Sequence, residues 1–235
     1  MKVKILFDKR AADDKYYSGW GQSYLIDGKV LFDLGESQEH VIKNIQELGV
    51  DLSAIEKIVI SHKHWNHRAG LGQVLENNKN AELYVCSDLY QEIKDKGSSH
   101  KVSVVKDSQE ICKNIYTSGC FEVLYKGKSL LEQALFIRTE KGISIVCGCA
   151  HPGILEYLKK AREMFPQEKI YLIFGGFHLI DKDKRYIDYI AEELKSLGVV
   201  NIGPSHCTGF KASSLLKGYF PKNFIKIESG LEIDI

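Results

Sequence analysis

The chain lacks any hydrophobic run near the roughly 18 residues that a membrane-spanning helix needs, and it lacks blocks of like charge. Its 32 basic side chains nearly balance 31 acidic ones, which leaves a formal net charge of +1. We therefore expect no nucleic-acid or membrane partner. The start of the chain is charged too early for a signal peptide, so we expect a cytoplasmic protein.

No two cysteines have the Cys-x-x-Cys spacing that is typical of zinc ribbons. The six cysteines lie at positions 86, 112, 120, 147, 149 and 207. Because no export signal is visible, we expect reduced thiols and not a disulfide scaffold. Linkers rich in proline, glycine and serine are also lacking, so the sequence predicts a single domain over residues 1–235.

Strand and helix patterns alternate along the chain. Residues 2–7 predict a first strand, and 24–26 with 30–32 predict a hairpin closed by Asp27-Gly28. Apolar spacing predicts a helix over 39–48 that ends at Gly49. Further strands are expected at 57–60, 83–86, 102–105, 134–139, 143–147, 170–174, 199–202 and 224–227, and further helices over 67–76, from 154, over 181–197 and over 210–217. Two mixed sheets with helices outside would accommodate these elements.

The run 61–67 is the most informative stretch of the sequence. His62, His64 and His67 fall within six residues, directly after the apolar run 58–60. Side chains at i and i+2 of an extended segment project to the same side, and a third can rejoin them after a turn. This pattern predicts one or two transition metals at the end of a strand, against the alternative of three unrelated surface histidines.

Three later histidines repeat one context, in which an apolar strand and a turn of small residues come first. They are His151, His178 and His206. Small residues let the backbone approach a bound ion or ligand closely. Any one of them alone would more often be a structural histidine, but the recurrence favours a shared site. His40 and His100 lack this context and are assigned to the surface.

With Asp33, these histidines resemble the metallo-β-lactamase fold superfamily, whose histidine motif normally reads His-x-His-x-Asp-His. The chain is more specifically similar to a branch of metal-dependent hydrolases that includes relatives of 7,8-dihydropterin-6-methyl-4-(β-D-ribofuranosyl)aminobenzene-5'-phosphate synthase. The segments that carry this resemblance are Gly-Gln-Ser-Tyr-Leu-Ile at 21–26, Glu-Gln-Ala-Leu at 132–135, Gly-Cys-Ala-His-Pro-Gly at 148–153, Gly-Gly-Phe-His-Leu at 175–179 and His-Cys-Thr-Gly at 206–209.

The resemblance implies an αββα sandwich of two mixed β-sheets, with helices on the outer faces and metals in a cleft at one sheet edge. Carried over by position, His62 and His64 with His151 would hold one divalent metal, most simply zinc. His67 and His206 would help to hold a second. Iron, manganese and nickel are alternatives, because imidazole ligands accept them with overlapping preferences. A homodimer is an open alternative to a monomer.

The resemblance also implies roles around the metals. Asp33 would lie beneath the site and orient the ligand loop by hydrogen bonds, as carboxylates behind metal ligands do. His178 is the candidate for substrate contact or proton transfer. The implied activity is that of a metal-dependent hydrolase, or a pterin-linked transferase. It would use metal-activated water on a small ester, lactone or phosphate-bearing substrate.

Asn66 stands where the family motif has aspartate, and it is the second candidate catalytic residue. A neutral amide is a weak metal ligand and no base. Lys63 replaces the more usual glycine and adds positive charge. One alternative is a single metal that still activates water. In a second, His178, Glu132 or Cys149 supplies the missing ligand.

A third alternative is that the fold has kept no chemistry and serves as a non-catalytic ligand-binding or sensor protein. A redox role with iron is a weaker option, because it normally calls for additional carboxylate ligands. The aromatic loop 16–21 could stack on a planar ring such as a pterin, or merely cover a sheet edge. Lys9, Arg10 and Lys15 could bind a phosphate, or form a solvated charged face.

Overall fold

The computed structural model describes residues 1–95 and 100–235. The strands in chain order are β1 (Lys2–Phe7), β2 (Ser23–Ile26), β3 (Val30–Phe32), β4 (Lys57–Val59), β5 (Glu82–Val85), β6 (Val102–Val104), β7 (Gln109–Cys112), β8 (Ile115–Thr117), β9 (Phe121–Tyr125), β10 (Lys128–Glu132), β11 (Leu135–Thr139), β12 (Gly142–Cys147), β13 (Ile170–Gly176), β14 (Asn201–Ser205) and β15 (Glu232–Asp234). The helices are α1 (Gln38–Glu47), α2 (Leu71–Asn77), α3 (Ser87–Asp95), α4 (Ile154–Met164), α5 (Lys184–Ser196) and α6 (Phe210–Tyr219).

Two mixed sheets form the centre of the fold. The first has the order β15-β1-β2-β3-β4-β5-β6 and the second β14-β13-β12-β11-β8-β7, while β9 and β10 form a separate two-stranded arm. Apolar side chains of both sheets meet in one buried cluster, which includes Tyr24, Phe32, Leu135 and Phe174. Burying each such side chain contributes about 1.5–3 kcal/mol. The contact between the sheets is therefore a main source of stability.

Helices cover both outer faces. Side chains of α1, α2 and α3 pack on the first sheet, and those of α4, α5 and α6 pack on the second. The architecture is the αββα sandwich that the resemblance implied, and that prediction is confirmed. Among residues 1–95 and 100–235, no helix combines the length and apolar character that crossing a bilayer requires.

Local sequence explains the first elements well. The predicted hairpin forms, with Asp27 at φ 50° and Gly28 at φ 70°, as a two-residue turn with positive φ at both positions requires. The helix α1 begins after Ser37, whose side chain accepts a hydrogen bond from the backbone N–H of His40. Gly49 follows its end at φ 61°.

The sheets position the site because parallel strands end at the same edge. β12, β13 and β14 run parallel, and His151, His178 and His206 follow their carboxyl ends. In the first sheet β3 and β4 are parallel as well, and Asp33 and the segment 60–67 follow them. The loops that carry the candidate residues therefore lie along neighbouring edges of the sandwich.

Some local predictions were wrong. Residues 224–227 form no strand, since Phe224 makes only an isolated bridge with Ile202. The helix predicted over 67–76 begins at Leu71, after a 3₁₀ turn over Trp65–His67. The expectation of six thiols fails for Cys86 and Cys120, which form a disulfide.

Candidate metal centre

Six of the eight histidines gather in one place, at the edge of the sandwich. They are His62, His64, His67, His151, His178 and His206. The two histidines assigned to the surface lie elsewhere and are half-buried: His40 stacks on Tyr17, and His100 bonds to the carbonyl oxygen of Leu75. The structure therefore brings together all of the histidines that the sequence singled out.

The first donor group consists of His62, His64 and His151. Their nearest ring nitrogens lie within 4.8 Å of one another. His62 Nε2 lies 2.9 Å from His64 Nδ1, and the ring centroid of His151 lies 4.8 Å from that of His62. Three imidazoles converging at this range match the donor set of a zinc-type site with one open position.

A second donor group adjoins the first and includes a thiol. Cys149 Sγ lies 3.3 Å from His67 Nε2 and 3.3 Å from His206 Nε2. The same sulfur, His62 and His67 also form a group within 4.8 Å. The sulfur of Cys149 therefore lies between His67 and His206, the two histidines that the resemblance assigns to a second metal.

Asp33 lies beneath both groups and is fully buried. Its Oδ1 accepts a hydrogen bond from the backbone N–H of Ser61 at 2.7 Å, and its Oδ2 pairs with His67 Nδ1 at 2.7 Å. The hydroxyl of Ser61 and the amide of Gln22 donate to Oδ2 as well. These bonds fix the start of the histidine loop and turn His67 Nε2 toward the centre.

Glu132, at the end of the β9–β10 arm, holds the opposite side. This buried carboxylate accepts hydrogen bonds from the backbone N–H groups of Cys149, Ala150 and His151, each at 2.8 Å. Its Oε2 also pairs with His151 Nδ1 at 2.7 Å. Burial acts to raise the pKa of Glu132, but the bonds from His151 and the backbone outweigh it and lower the pKa. Glu132 thus orients the ring of His151 and is not free to bind a metal.

The electrostatics keep most of these imidazoles neutral. Burial and the neighbouring histidines lower the pKa of His62 and of His206 well below the usual value, and that of His64 to about 4. Burial has the same tendency at His67, but the Asp33 carboxylate outweighs it and raises that pKa. Neutral imidazole is the form that binds a metal.

Cys207 and His178 form a further pair beside Cys149. Burial acts to raise the pKa of the Cys207 thiol, but hydrogen bonds from Cys149 and His178 more than offset it and lower the pKa to about 6. The hydrogen bond to Cys207, opposed by burial, raises the pKa of His178. The ring of His178 lies 4.5 Å from that of His151. His178 is therefore near the centre, and its buried Nδ1 has no hydrogen-bond partner among the described residues.

Asn66 lies inside the cluster, only 6% exposed, and its Nδ2 is 3.4 Å from His206 Nε2. An amide N–H₂ group is a donor, so the atom nearest to the imidazole cannot act as a ligand. Asn66, where the family motif has aspartate, thus faces the second donor group. It leaves the group of His62, His64 and His151 complete.

Two aromatic side chains border the cluster. Tyr125, at the tip of the β9–β10 arm, lies 4.5 Å from the ring of His151, 5.4 Å from His64 and 5.6 Å from His178. Trp20 lies 4.9 Å from the ring of His206. Sequence reasoning named the loop of Trp20 but missed Tyr125, because the arm that carries it was not predicted.

Several residues in the loops around the centre have positive φ angles. Seven residues other than glycine have positive φ in the described chain, and four of them border the centre: Asp33 at 55°, Ala150 at 55°, His178 at 51° and His206 at 47°. Such conformations cost about 1 kcal/mol or more each and persist where the surroundings over-determine them. At Gly148 a Cβ would lie 2.2 Å from Ser61 Oγ, so only glycine fits beside the histidine loop.

Asp8, near the centre, makes the stability of the protein depend on pH. Burial raises the pKa of this carboxyl to about 6, against hydrogen bonds from Tyr24, the Lys9 N–H and Ser205. Because the folded-state pKa lies above the unfolded value of 3.8, the protonated form is favoured on folding. The contribution of Asp8 to the free energy of unfolding is fully present below pH 3.8 and is lost as the pH rises through about 6.

Between about pH 4 and pH 7, we expect wild type to lose about 2 kcal/mol more unfolding free energy than Asp8→Asn. Urea unfolding at several pH values measures the difference. Asp13→Asn, at an exposed carboxyl in the same loop, is the control and should follow wild type. Identical pH profiles for wild type and Asp8→Asn would contradict the assignment.

The fold and the site together define a class: an αββα sandwich with two adjoining His-rich donor groups at its edge. The family model of the metallo-β-lactamase superfamily matches residues 21–110, which include Asp33 and the histidine loop. Over that segment the chain is similar in sequence to the metallo-β-lactamase superfamily, and its whole fold is similar to that of a solved member.

The chain is also similar to individual proteins with described sequences or solved structures. The chain is 29% identical to the 7,8-dihydropterin-6-methyl-4-(β-D-ribofuranosyl)-aminobenzene-5'-phosphate synthase of Methanocaldococcus jannaschii, over 98% of this chain and 95% of the relative. It is 27% identical to Tm1679, described as a metal-dependent hydrolase of the β-lactamase superfamily, with a TM-score of 0.84 over 100% and 99% of the two chains. YhfI of Bacillus subtilis, 11% identical with a TM-score of 0.70 over 99% of each chain, shows the fold alone. The resemblance to the pterin-linked branch is confirmed.

Proposed function

We propose that the protein is a metal-dependent enzyme that performs hydrolysis or group transfer on a small ester, lactone or phosphate-bearing molecule. The observation that carries this proposal is the convergence of His62, His64 and His151 within 4.8 Å of one another. Similarity to a pterin-linked synthase supports the transfer reaction, and similarity to a metal-dependent hydrolase supports the hydrolytic one.

The residues present fit a divalent transition metal. Imidazole nitrogens and a thiol sulfur are the donors that zinc prefers, and here they face one another inside the protein. His151 and His67 each have the second ring nitrogen bound to a carboxylate, the arrangement in which protein metal ligands are usually oriented. Histidines that served packing alone would not need two buried carboxylates behind them.

We assign the first ion to His62, His64 and His151, and a second to His67, His206 and Cys149. Cys149 takes the place of the carboxylate that Asn66 does not supply, since its sulfur lies between the two histidines. A thiolate brings one negative charge, as the family's aspartate would. When bound, such ions supply Lewis-acid activation of water and of an electrophilic carbonyl or phosphoryl group.

The remaining side chains bind, orient and transfer protons. Asp33 and Glu132 hold the ligand loops, and Tyr125 and Trp20 border the entrance, where they would stack on a planar substrate ring and exclude water. His178 is placed beside His151 with a titratable thiol behind it, which suits proton transfer to a leaving group. Localisation in the cytoplasm and a homodimer remain predictions.

Metal content and turnover of His62→Ala test the proposal. We expect the variant to lose the first ion and to reduce turnover about a thousandfold or more on ester and phosphodiester substrates, because an incomplete donor set binds metal weakly. The control is His40→Ala, which removes an imidazole that stacks on Tyr17 outside the cluster. Equal activity and metal content in His62→Ala and wild type would remove the proposal.

A non-catalytic sensor is the second candidate, and Asn66 is the observation that favours it. Its amide donor faces His206, where a catalytic family member would present a carboxylate. A sensor would still bind metal or ligand but would show no turnover on any substrate of the panel. Turnover by native protein that Asn66→Asp does not increase would exclude this candidate.

A further inference from the structure

A cavity of about 70 Å³ opens beside the candidate metal centre. Four segments surround it: the loop after β1, the end of β14, the start of α6 and the segment 224–228. Its walls carry the basic side chains of Lys9, Arg10 and Lys226, the hydroxyls of Ser205 and Ser213, and the ring of Phe210. This combination is typical of a site for an anionic ligand and not of an apolar one.

Lys9, Arg10 and Lys226 lack carboxylate partners in the part of the chain that the structure describes. Lys9 Nζ lies 4.6 Å above the ring of Trp20, and the guanidinium of Arg10 lies 5.6 Å from the ring centroid of Phe210. Within residues 1–95 and 100–235, neither of them nor Lys226 forms an ion pair. By contrast, Lys15, the third cation of the sequence analysis, pairs with Glu47. Lys9, Arg10 and Lys226 thus remain available to a ligand.

Two carboxyl groups also line the cavity, but they do not cancel its positive charge. Asp8 is fully buried, and its oxygens accept bonds from the Lys9 N–H, from Tyr24 and from Ser205. Glu228 is the other. Three cations against these two groups leave a net positive wall, and the cations stand on its exposed side.

The loop that carries two of the cations is held in place. The backbone N–H of Ser229 donates to the carbonyl oxygen of Arg10 at 2.7 Å, and the N–H of Asp8 donates to Ser229 Oγ at 2.9 Å. The helix α6 begins on the same cavity without a side-chain cap, so its first N–H groups add a positive end. A fixed loop reduces the entropy lost on binding.

The cavity adjoins the metal centre through one shared residue. His206 lines the cavity and also lies 3.3 Å from Cys149, while Trp20 contacts both His206 and Lys9. The Nδ1 atom of His206 is buried and has no hydrogen-bond partner among the described residues. A ligand anchored in the cavity would therefore extend its other end toward the donor groups.

We propose that this cavity binds the phosphate group of a phosphomonoester substrate, with Lys9, Arg10 and Lys226 as its ligands. This inference rests on the proposed function, since the cavity anchors a substrate whose reacting part lies at the metal centre. A dianionic phosphate matches three cations better than a carboxylate does, and guanidinium binds phosphate oxygens in a bidentate manner.

Calorimetric titration tests the site with three probes at constant ionic strength: inorganic phosphate, ribose 5-phosphate and ribose. We expect wild type to bind both phosphates and not ribose. Arg10→Gln and Lys226→Gln should each weaken the binding of ribose 5-phosphate about tenfold. The control Lys211→Gln removes an exposed cation of α6 that does not line the cavity, and it should bind like wild type.

His62→Ala separates this inference from the metal proposal. It disrupts the first donor group without touching the cavity, so ribose 5-phosphate should still bind with unchanged affinity. Loss of binding in His62→Ala, with Arg10→Gln unaffected, would place the phosphate on a metal and overturn the cavity site. Equal weakening in Lys211→Gln, or no phosphate binding by wild type, would overturn it as well. Intact phosphate binding beside absent turnover would contradict the proposed function alone.

Discussion

Replacing Glu132 with glutamine is expected to lower the free energy of unfolding by about 3 kcal/mol and to weaken metal binding 10- to 100-fold. The carboxylate accepts four hydrogen bonds, three from backbone N–H groups of the loop 149–151 and one from His151. The glutamine amide offers one oxygen and turns two N–H donors toward groups that are themselves donors. Since Glu132 is fully buried, water cannot replace the lost acceptor.

Urea unfolding and metal titration measure the two effects of Glu132→Gln. The matched control is Glu122→Gln, because Glu122 lies on β9 of the same arm but is exposed, and its one hydrogen bond within residues 1–95 and 100–235 comes from Ser129. We expect its stability and metal affinity to match wild type. Unchanged metal affinity in Glu132→Gln, with an intact fold, would show that His151 needs no support and would weaken its assignment as a ligand.

Much of the fold could be predicted from local sequence because the signals there were chemically specific. Asp27-Gly28 favours one hairpin turn, and the apolar spacing of 39–48 with Gly49 defines one helix, so both formed as expected. The β9–β10 arm had no comparable signal. Its first strand, β9, alternates between exposed and half-buried residues, with Leu124 80% exposed. Burial against a core therefore did not shape the sequence of that strand.

The histidines of the site could be predicted for a different reason. Each follows the carboxyl end of a strand, and parallel strands bring these ends to one edge. Glu132 and Cys149 were named as candidate ligands, but their contacts with the histidines could not be derived in this way. Glu132 reaches His151 from a separate arm, and Cys149 meets His67 only when both sheets are assembled. Those contacts depend on the packing of sheet on sheet, which no local pattern encodes.

Replacing Cys149 with alanine is expected to remove the second ion and leave the first. Its sulfur is the only donor we assign to that group besides His67 and His206, and two imidazoles alone bind a divalent ion weakly. We expect the affinity of the second site to fall about 100-fold or more. In cobalt-substituted protein, the sulfur-to-metal charge-transfer absorption should disappear together with the second equivalent.

Restoring the carboxylate provides the decisive comparison, because Asn66 faces the same imidazole as Cys149 does. If the thiol substitutes for the missing aspartate, Asn66→Asp should change wild type little but should recover the second ion in the Cys149→Ala background. Cys112→Ala, at a half-buried thiol outside the cluster, is the control and should bind both ions. An additive outcome, in which Asn66→Asp strengthens the second site equally with and without Cys149, would show that the two residues do not fill one role. Because residues that share a ligand position must show strong coupling, the size of the coupling energy decides between a compensated two-metal enzyme and a centre that holds a single ion.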